Sequence, residues 1–205
     1  MRRLARTALP LGLVFVFLTQ GTAHAGFNVL IDINPLPGSG VYVPNPASAV
    51  PGNSVGWTNN TTLPHSATGN SPLNFWDTGT FGQGVTRGFT FNVAGGYAYH
   101  CTVHPNMQGT VNVRMVVSPS SGTVNSTVFT IRWANASIPS GFNADIQFRR
   151  NGGAWTGILA NRTGTQVMAQ GMIGTPGTYD LRARVQRTSN GAASAYSPPV
   201  TLTVT

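Results

Sequence analysis

Apolar and polar residues alternate along much of this chain, in short runs separated by clusters of Gly, Pro and Asn. A strand sends successive side chains to opposite faces, so this alternation predicts half-buried strands. In SVGWTN it places Val55 and Trp57 on one face, and in RGFTFNV it groups Phe89, Phe91 and Val93. YAYHC aligns Tyr97, Tyr99 and Cys101, and TVNVRMVV aligns Val111, Val113, Met115 and Val117 as one run. Further on, TVFTIRWA sets an apolar face of Phe129, Ile131 and Trp133 against Val128, Thr130 and Arg132. TYDLRARV sets Tyr179, Leu181, Ala183 and Val185 against Asp180, Arg182 and Arg184, and VTLTVT ends the chain as a strand. No helical period runs through the sequence after residue 25. Many short strands between frequent turns predict an all-β protein built of sandwiches. The segment SPSSGTVNS, Ser118 to Ser126, is the expected boundary between two of them.

The start of the chain reads differently. Arg2, Arg3 and Arg6 precede the apolar run LPLGLVFVFL, Leu9 to Leu18, which is short for a membrane span. The small residues of AHA, Ala23 to Ala25, follow it. Residues 1–25 are expected to be a secretory signal peptide, an uncleaved anchor being the alternative. No second long apolar run occurs, so no transmembrane span is expected after signal cleavage. The expected units are 1–25 signal peptide, 26–117 first sandwich and 118–205 second sandwich, with an exported, periplasmic or extracellular location.

Charge excludes one class of partner. The chain has twelve Arg and four Asp, with no Lys or Glu, for a formal charge of +8. Loss of Arg2, Arg3 and Arg6 with the signal lowers this to +5. The high pI therefore reflects scarce acids. A nucleic-acid binder would cluster its cations among aromatics; after residue 25, Arg149-Arg150 is the only tight pair, and a solvated strand end accounts for it. No nucleic-acid partner is expected. N-x-[ST] triplets begin at several positions, such as Asn59, Asn125 and Asn161, a common occurrence in a sequence rich in Asn and Thr.

The single cysteine carries the chemistry. An exported chain with one Cys cannot form an internal disulfide. Cys101, His104 and Met107 are spaced C-x2-H-x2-M, where a strand gives way to a Pro-containing loop. A loop can turn three side chains toward one point. His100 directly precedes Cys101 and is expected on the opposite face, which leaves His65, in LPHS, as the fourth candidate. Singly, a buried Cys, a loop Met and an isolated His have ordinary structural uses. Jointly, two imidazoles, one thiolate and a weak thioether form the trigonal set with a long axial ligand that suits copper in electron transfer. Zinc prefers four strong ligands. Trp57, Phe75, Trp76 and Phe81 are expected to pack in the core or its loops.

SVGWTNNTTLPHS and GGYAYHCTVHPNMQGTVNV resemble the two ligand-bearing segments of cupredoxins of the plastocyanin and amicyanin kind, over roughly residues 26–117. The resemblance implies a Greek-key β-sandwich holding one type 1 copper per chain. It implies His65 and His104 as imidazole ligands, Cys101 as the thiolate and Met107 as the axial ligand, with His104 as the electron exit through an apolar patch. Two departures stand out. Ser66 replaces the Asn that often follows the first histidine and braces the ligand loops, which implies a weaker or purely backbone brace. Val103 replaces a Pro and so adds an N–H that could reach the Cys101 sulfur.

FTIRWA, GTYDLRARVQ and YSPPVTLTVT resemble a fibronectin type III domain, an Ig-like β-sandwich, over about residues 118–205. Trp133 matches its core tryptophan and Tyr179 the tyrosine whose hydroxyl ties a corner. This half has no His, no Cys and two acids, so it lacks the groups for a second metal site or for triad catalysis. The expected function is an exported blue copper protein carrying single electrons between redox partner proteins, and not an enzyme. The second sandwich is expected to serve as a spacer or as a contact to a cell surface or polymer. Copper delivery, or a cell-surface binding module with a structural copper domain, are the alternatives.

Overall fold

A computed structural model describes residues 26–170 and 173–205; the expected signal peptide lies outside the described residues. The structure is all-β, and no helix occurs among the described residues. Eight strands lie before Arg114. They are β1 (Val29–Leu36), β2 (Ser39–Val43), β3 (Ala47–Ala49), β4 (Asn53–Asn59), β5 (Thr68–Gly69), β6 (Thr86–Phe91), β7 (Gly95–His100) and β8 (Gln108–Val113). They form two four-stranded sheets, ordered β2-β1-β4-β6 and β3-β8-β7-β5.

The inner faces of these sheets follow the alternation. Ile31, Ile33, Val55, Trp57, Phe91, Tyr97, Tyr99, Val111 and Val113 are all buried. Aromatic rings fill the space between the sheets, with Trp57 edge-on to Tyr99 at 5.5 Å and Trp76 edge-on to Phe91 at 5.0 Å. Tilted and edge-on pairs at such spacings are favoured by the ring quadrupoles. Strand β4 departs from simple alternation, since Gly56, Thr58 and Asn59 are buried along with Val55 and Trp57. Phe27 covers its outer face, and a Cβ at Gly56 would lie 2.7 Å from that ring.

The expected run from Val111 to Val117 is divided. After β8 the chain breaks at Arg114-Met115, and β9 (Val116–Ser118) pairs with a strand of the second half. The remaining strands are β10 (Ser121–Gly122), β11 (Phe129–Arg132), β12 (Phe142–Arg150), β13 (Thr156–Arg162), β14 (Gln166–Ala169), β15 (Gly177–Arg187) and β16 (Val200–Val204). They build a three-stranded sheet, β14-β11-β9, and a five-stranded sheet, β10-β16-β15-β12-β13. Phe129, Ile131 and Trp133 face Leu181, Ala183, Val185 and Leu202 in the buried core.

A tyrosine hydroxyl ties a corner in each half. Tyr97 donates to the carbonyl of Val93 and Tyr179 to that of Thr175, each at 2.7 Å. The two halves meet by backbone pairing at the start of β7. Ala94 N–H donates to Trp133 O at 2.7 Å, and Gly96 exchanges hydrogen bonds with Ala195 at 2.8 and 3.1 Å. A Cβ at Gly95 would stand 2.6 Å from Ser194 Oγ, so this approach needs glycine.

The outer face of the five-stranded sheet is an interleaved row of cations and rings. Arg182 lies over Trp155 at 4.0 Å and over Tyr196 at 4.3 Å, and Arg149 lies over Trp155 at 4.7 Å. Arg149 is thus engaged and not simply solvated; it also pairs with Asp180 at 2.9 Å. The Thr201 hydroxyl and then Arg149 hold the Asp180 carboxyl below its ordinary range. A depressed carboxyl pKa contributes stability above the unfolded-state value and loses it as pH falls through the folded value. Asp180→Asn is therefore expected to lower stability at neutral pH by about 1 kcal/mol or less. The gap to the wild type should close on acidification, as read from urea midpoints measured across that range.

Candidate metal centre

Three donor-bearing side chains converge at one end of the first sandwich. Strand β7 delivers Cys101 to the end of the core, where the side chain is fully buried beside Tyr99. The loop to β8 then turns back on itself, with Met107 N–H donating to His104 O at 2.9 Å and Cys101 N–H donating to Met107 O at 3.0 Å. These bonds fold His104 over Cys101. His65 comes from the other loop, held by reciprocal backbone bonds with Phe81 at 3.1 and 2.8 Å.

The donor atoms of His65, Cys101 and His104 all lie within 4.8 Å of one another. Cys101 Sγ stands 3.7 Å from His65 Nδ1 and 3.6 Å from His104 Nδ1. Such separations leave room for one ion bonded to all three at the roughly 2.0–2.3 Å usual for imidazole and thiolate donors. The imidazole rings are 4.6 Å apart between centroids. Among the described residues this is the only group of three His, Cys, Asp or Glu side chains close enough to share an ion. Met107 is buried at the end of the same loop. His100 turns away, as expected, and bonds through Nδ1 to Asn70 Oδ1 at 2.6 Å.

The proton on His65 can be placed. Its Nε2 lies 2.9 Å from Thr61 Oγ1. That hydroxyl also faces two atoms that only accept, Asn59 Oδ1 at 2.9 Å and Leu63 O at 3.1 Å. Its one hydrogen goes to one of them, so His65 Nε2–H must donate to Thr61. The Nδ1 lone pair is then bare and aimed at Cys101, the tautomer a metal needs. Burial, and then the neighbouring His104, push the His65 pKa below its ordinary value and keep the ring neutral. Gly40 packs against the other side of this ring, and a Cβ there would lie 2.9 Å from His65 Cε1.

Ser66 corrects the expectation of a weak brace. Its N–H donates to Cys101 Sγ at 3.4 Å, and its Oγ accepts the Thr102 N–H at 2.9 Å. Both the backbone and the side chain of Ser66 therefore span the two loops. The second expected departure takes a different form too. The backbone N–H bonded to the Cys101 sulfur is that of Ser66, and no bond from Val103 N–H to that sulfur forms among the described residues. Thr61 and Thr102 escaped attention in the sequence because hydroxyl residues are abundant there, whereas Ser66 was marked by its place directly after His65.

No family model matches the chain, and no curated protein does. Among solved structures it is similar to a mutant amicyanin in its reduced Cu(I) form at pH 4, at 26% identity over 42% of this chain and 80% of that one, with a TM-score of 0.38. A purple cupredoxin from Nitrosopumilus maritimus is similar at 26% identity over 42% of this chain and 99% of that one, with a TM-score of 0.39. What the site can do is read from its own atoms. A soft cysteine sulfur beside two imidazoles, with no carboxylate in the group, suits copper. The donor set fits one copper ion.

Thr61→Val removes the acceptor that fixes the His65 tautomer. Loss of such an outer partner typically costs about 10–100-fold in metal affinity. That fall is the expected result, measured by competition against a chromophoric chelator.

Proposed function

We propose that this chain is an exported type 1 (blue) copper protein that carries single electrons between redox partner proteins. The observation that carries the reading is the placement of Cys101 Sγ within 3.7 Å of two imidazole nitrogens in a pocket where His65 and Cys101 are fully buried. Bound copper would supply the one-electron couple between its Cu(I) and Cu(II) states.

The residues of the chain do the rest. His65, Cys101 and His104 would hold the copper ion, with Met107 as a weaker fourth donor. Thr61 and Gly40 hold the His65 ring, and Ser66 holds the Cys101 sulfur. Fixing the donors in this way keeps their geometry the same before and after electron transfer, so little reorganisation accompanies the step. His104 is half-buried, while Val103 beside it and Leu63 on the other loop are exposed. This apolar rim is the surface through which the His104 ring meets a partner and from which water is easily displaced. Complete burial of the thiolate ligand favours electron carriage over metal delivery, because delivery needs a thiol that an incoming acceptor can reach.

Residues 26–117 form the copper unit in this reading and 118–205 a fibronectin type III-like unit. The buried Trp133 and the Tyr179 corner support the second assignment. Its role is to present the copper unit at a cell surface or polymer. The chain is a carrier and not an enzyme, with the signal segment 1–25 directing it out of the cytoplasm.

Titration of the mature chain with Cu(II) is expected to produce an intense visible thiolate-to-copper band and narrow copper hyperfine splitting. Cys101→Ser should abolish both. A colourless titration would remove the basis for electron transfer.

A further inference from the structure

A chain of hydroxyl groups leads away from the metal pocket to an exposed carboxylate. Asp77 Oδ1 accepts the Thr68 hydroxyl at 2.8 Å and the Gly79 N–H at 2.9 Å. Thr68 Oγ1 is 3.1 Å from Ser66 Oγ, and Ser66 Oγ is 3.0 Å from Thr102 Oγ1. Ser66 Oγ also accepts the Thr102 N–H at 2.9 Å.

The direction of every proton in this chain follows from its end. A carboxylate can only accept, so Thr68 spends its single hydroxyl hydrogen on Asp77. Thr68 then has only lone pairs for Ser66, and Ser66 must donate to it. With its own hydrogen committed, Ser66 Oγ can only accept from Thr102, and it receives both the hydroxyl and the backbone N–H of that residue. One donor and two acceptor positions of Ser66 Oγ are thereby all filled. Each hydrogen bond polarises the next. Thr102 is the residue after Cys101, and Ser66 is the residue after His65 and donates its N–H to the Cys101 sulfur.

We propose that Asp77, outside the donor set, is a positioning residue for the metal pocket: through Thr68 it orients the Ser66 hydroxyl, which clamps the His65 loop to the Cys101 loop. Its effect on the metal rests on the copper reading given above, whereas its effect on the clamp does not.

The test uses the full mature chain in metal-free and copper-loaded forms, with Asp77→Ala, Thr68→Val and the double variant. In the metal-free protein, amide hydrogen exchange at Thr102 is expected to quicken on the order of tenfold in either single variant. The double variant should add little, because one relay is cut in both cases. Asp77→Asn, which keeps an acceptor oxygen, should restore the wild-type rate. Gly79 exchange should quicken with Asp77→Ala alone, since Thr68→Val leaves that turn intact. In the copper-loaded protein both single variants should shift the reduction potential and the thiolate-to-copper band in the same direction. Unchanged Thr102 exchange in Thr68→Val would overturn the proposal and leave Asp77 as a turn residue. Additive effects in the double variant would overturn it as well. If the wild type shows no thiolate-to-copper band, the copper reading fails by itself, and Thr102 exchange still decides the relay.

Discussion

The pocket depends on one hydrogen-bonded junction, at which Ser66 ties two loops that lie 35 residues apart in sequence at the Cys101 sulfur. A cysteine side chain and an imidazole brought together without metal repay little of the chain entropy lost in ordering their loops. The junction holds them regardless. Ser66 N–H bonds the sulfur and Ser66 Oγ bonds the next residue along, so the two loops have a fixed distance and a fixed twist. Remove that junction and the Cys101 loop loses its direct tie to the His65 loop, across which Cys101 Sγ stands 3.7 Å from His65 Nδ1.

The fold sets up this junction through register. Strand β7 pairs with β8 so that Tyr99 faces Gly109 and His100 faces Gln108, which leaves Cys101 as the first residue beyond the ladder. On its other side β7 pairs with β5, with Thr68 opposite His100, and this brings Ser66 alongside Cys101. A one-residue slip in either pairing would turn Cys101 out of the core and bring His100 in. Trp57, Phe91 and Tyr99 guard against such a slip, because each is fully buried on the inner face of its sheet and a slip would turn it outward. The start of β7 is pinned by Gly96 and Ala195 across the junction with the second sandwich. The strand that delivers the thiolate is thus held at both ends.

Much of this was legible in the sequence, and the reasons are specific. Alternation places Tyr97, Tyr99 and Cys101 on one face because a strand has a strict period of two. The same rule finds the Phe129, Ile131 and Trp133 face. The C-x2-H-x2-M spacing marks the loop, and elimination among the three histidines after residue 25 points to His65. Alternation does not say which sheet a strand joins, so the break at Arg114-Met115 was invisible: Val111 and Val117 share a face in sequence but lie in different sheets. Nor does it register covering from outside, which is why the burial of Gly56 and Thr58 came only from the structure. Asn59 shows a further limit: it is polar yet fully buried on the inner face, where its amide donates to Leu63 O and Phe81 O. The hydroxyl relay was the least legible part, since its members are separated by up to 36 residues and none is chemically distinctive alone.

If the scaffold, and not the metal, sets the donor geometry, copper X-ray absorption on the oxidised and reduced protein should find one sulfur and two nitrogen donors at short range in both oxidation states, with no ligand gained or lost. Loss of an imidazole on reduction, or a donor shell without a short copper–sulfur distance, would overturn that view of the pocket.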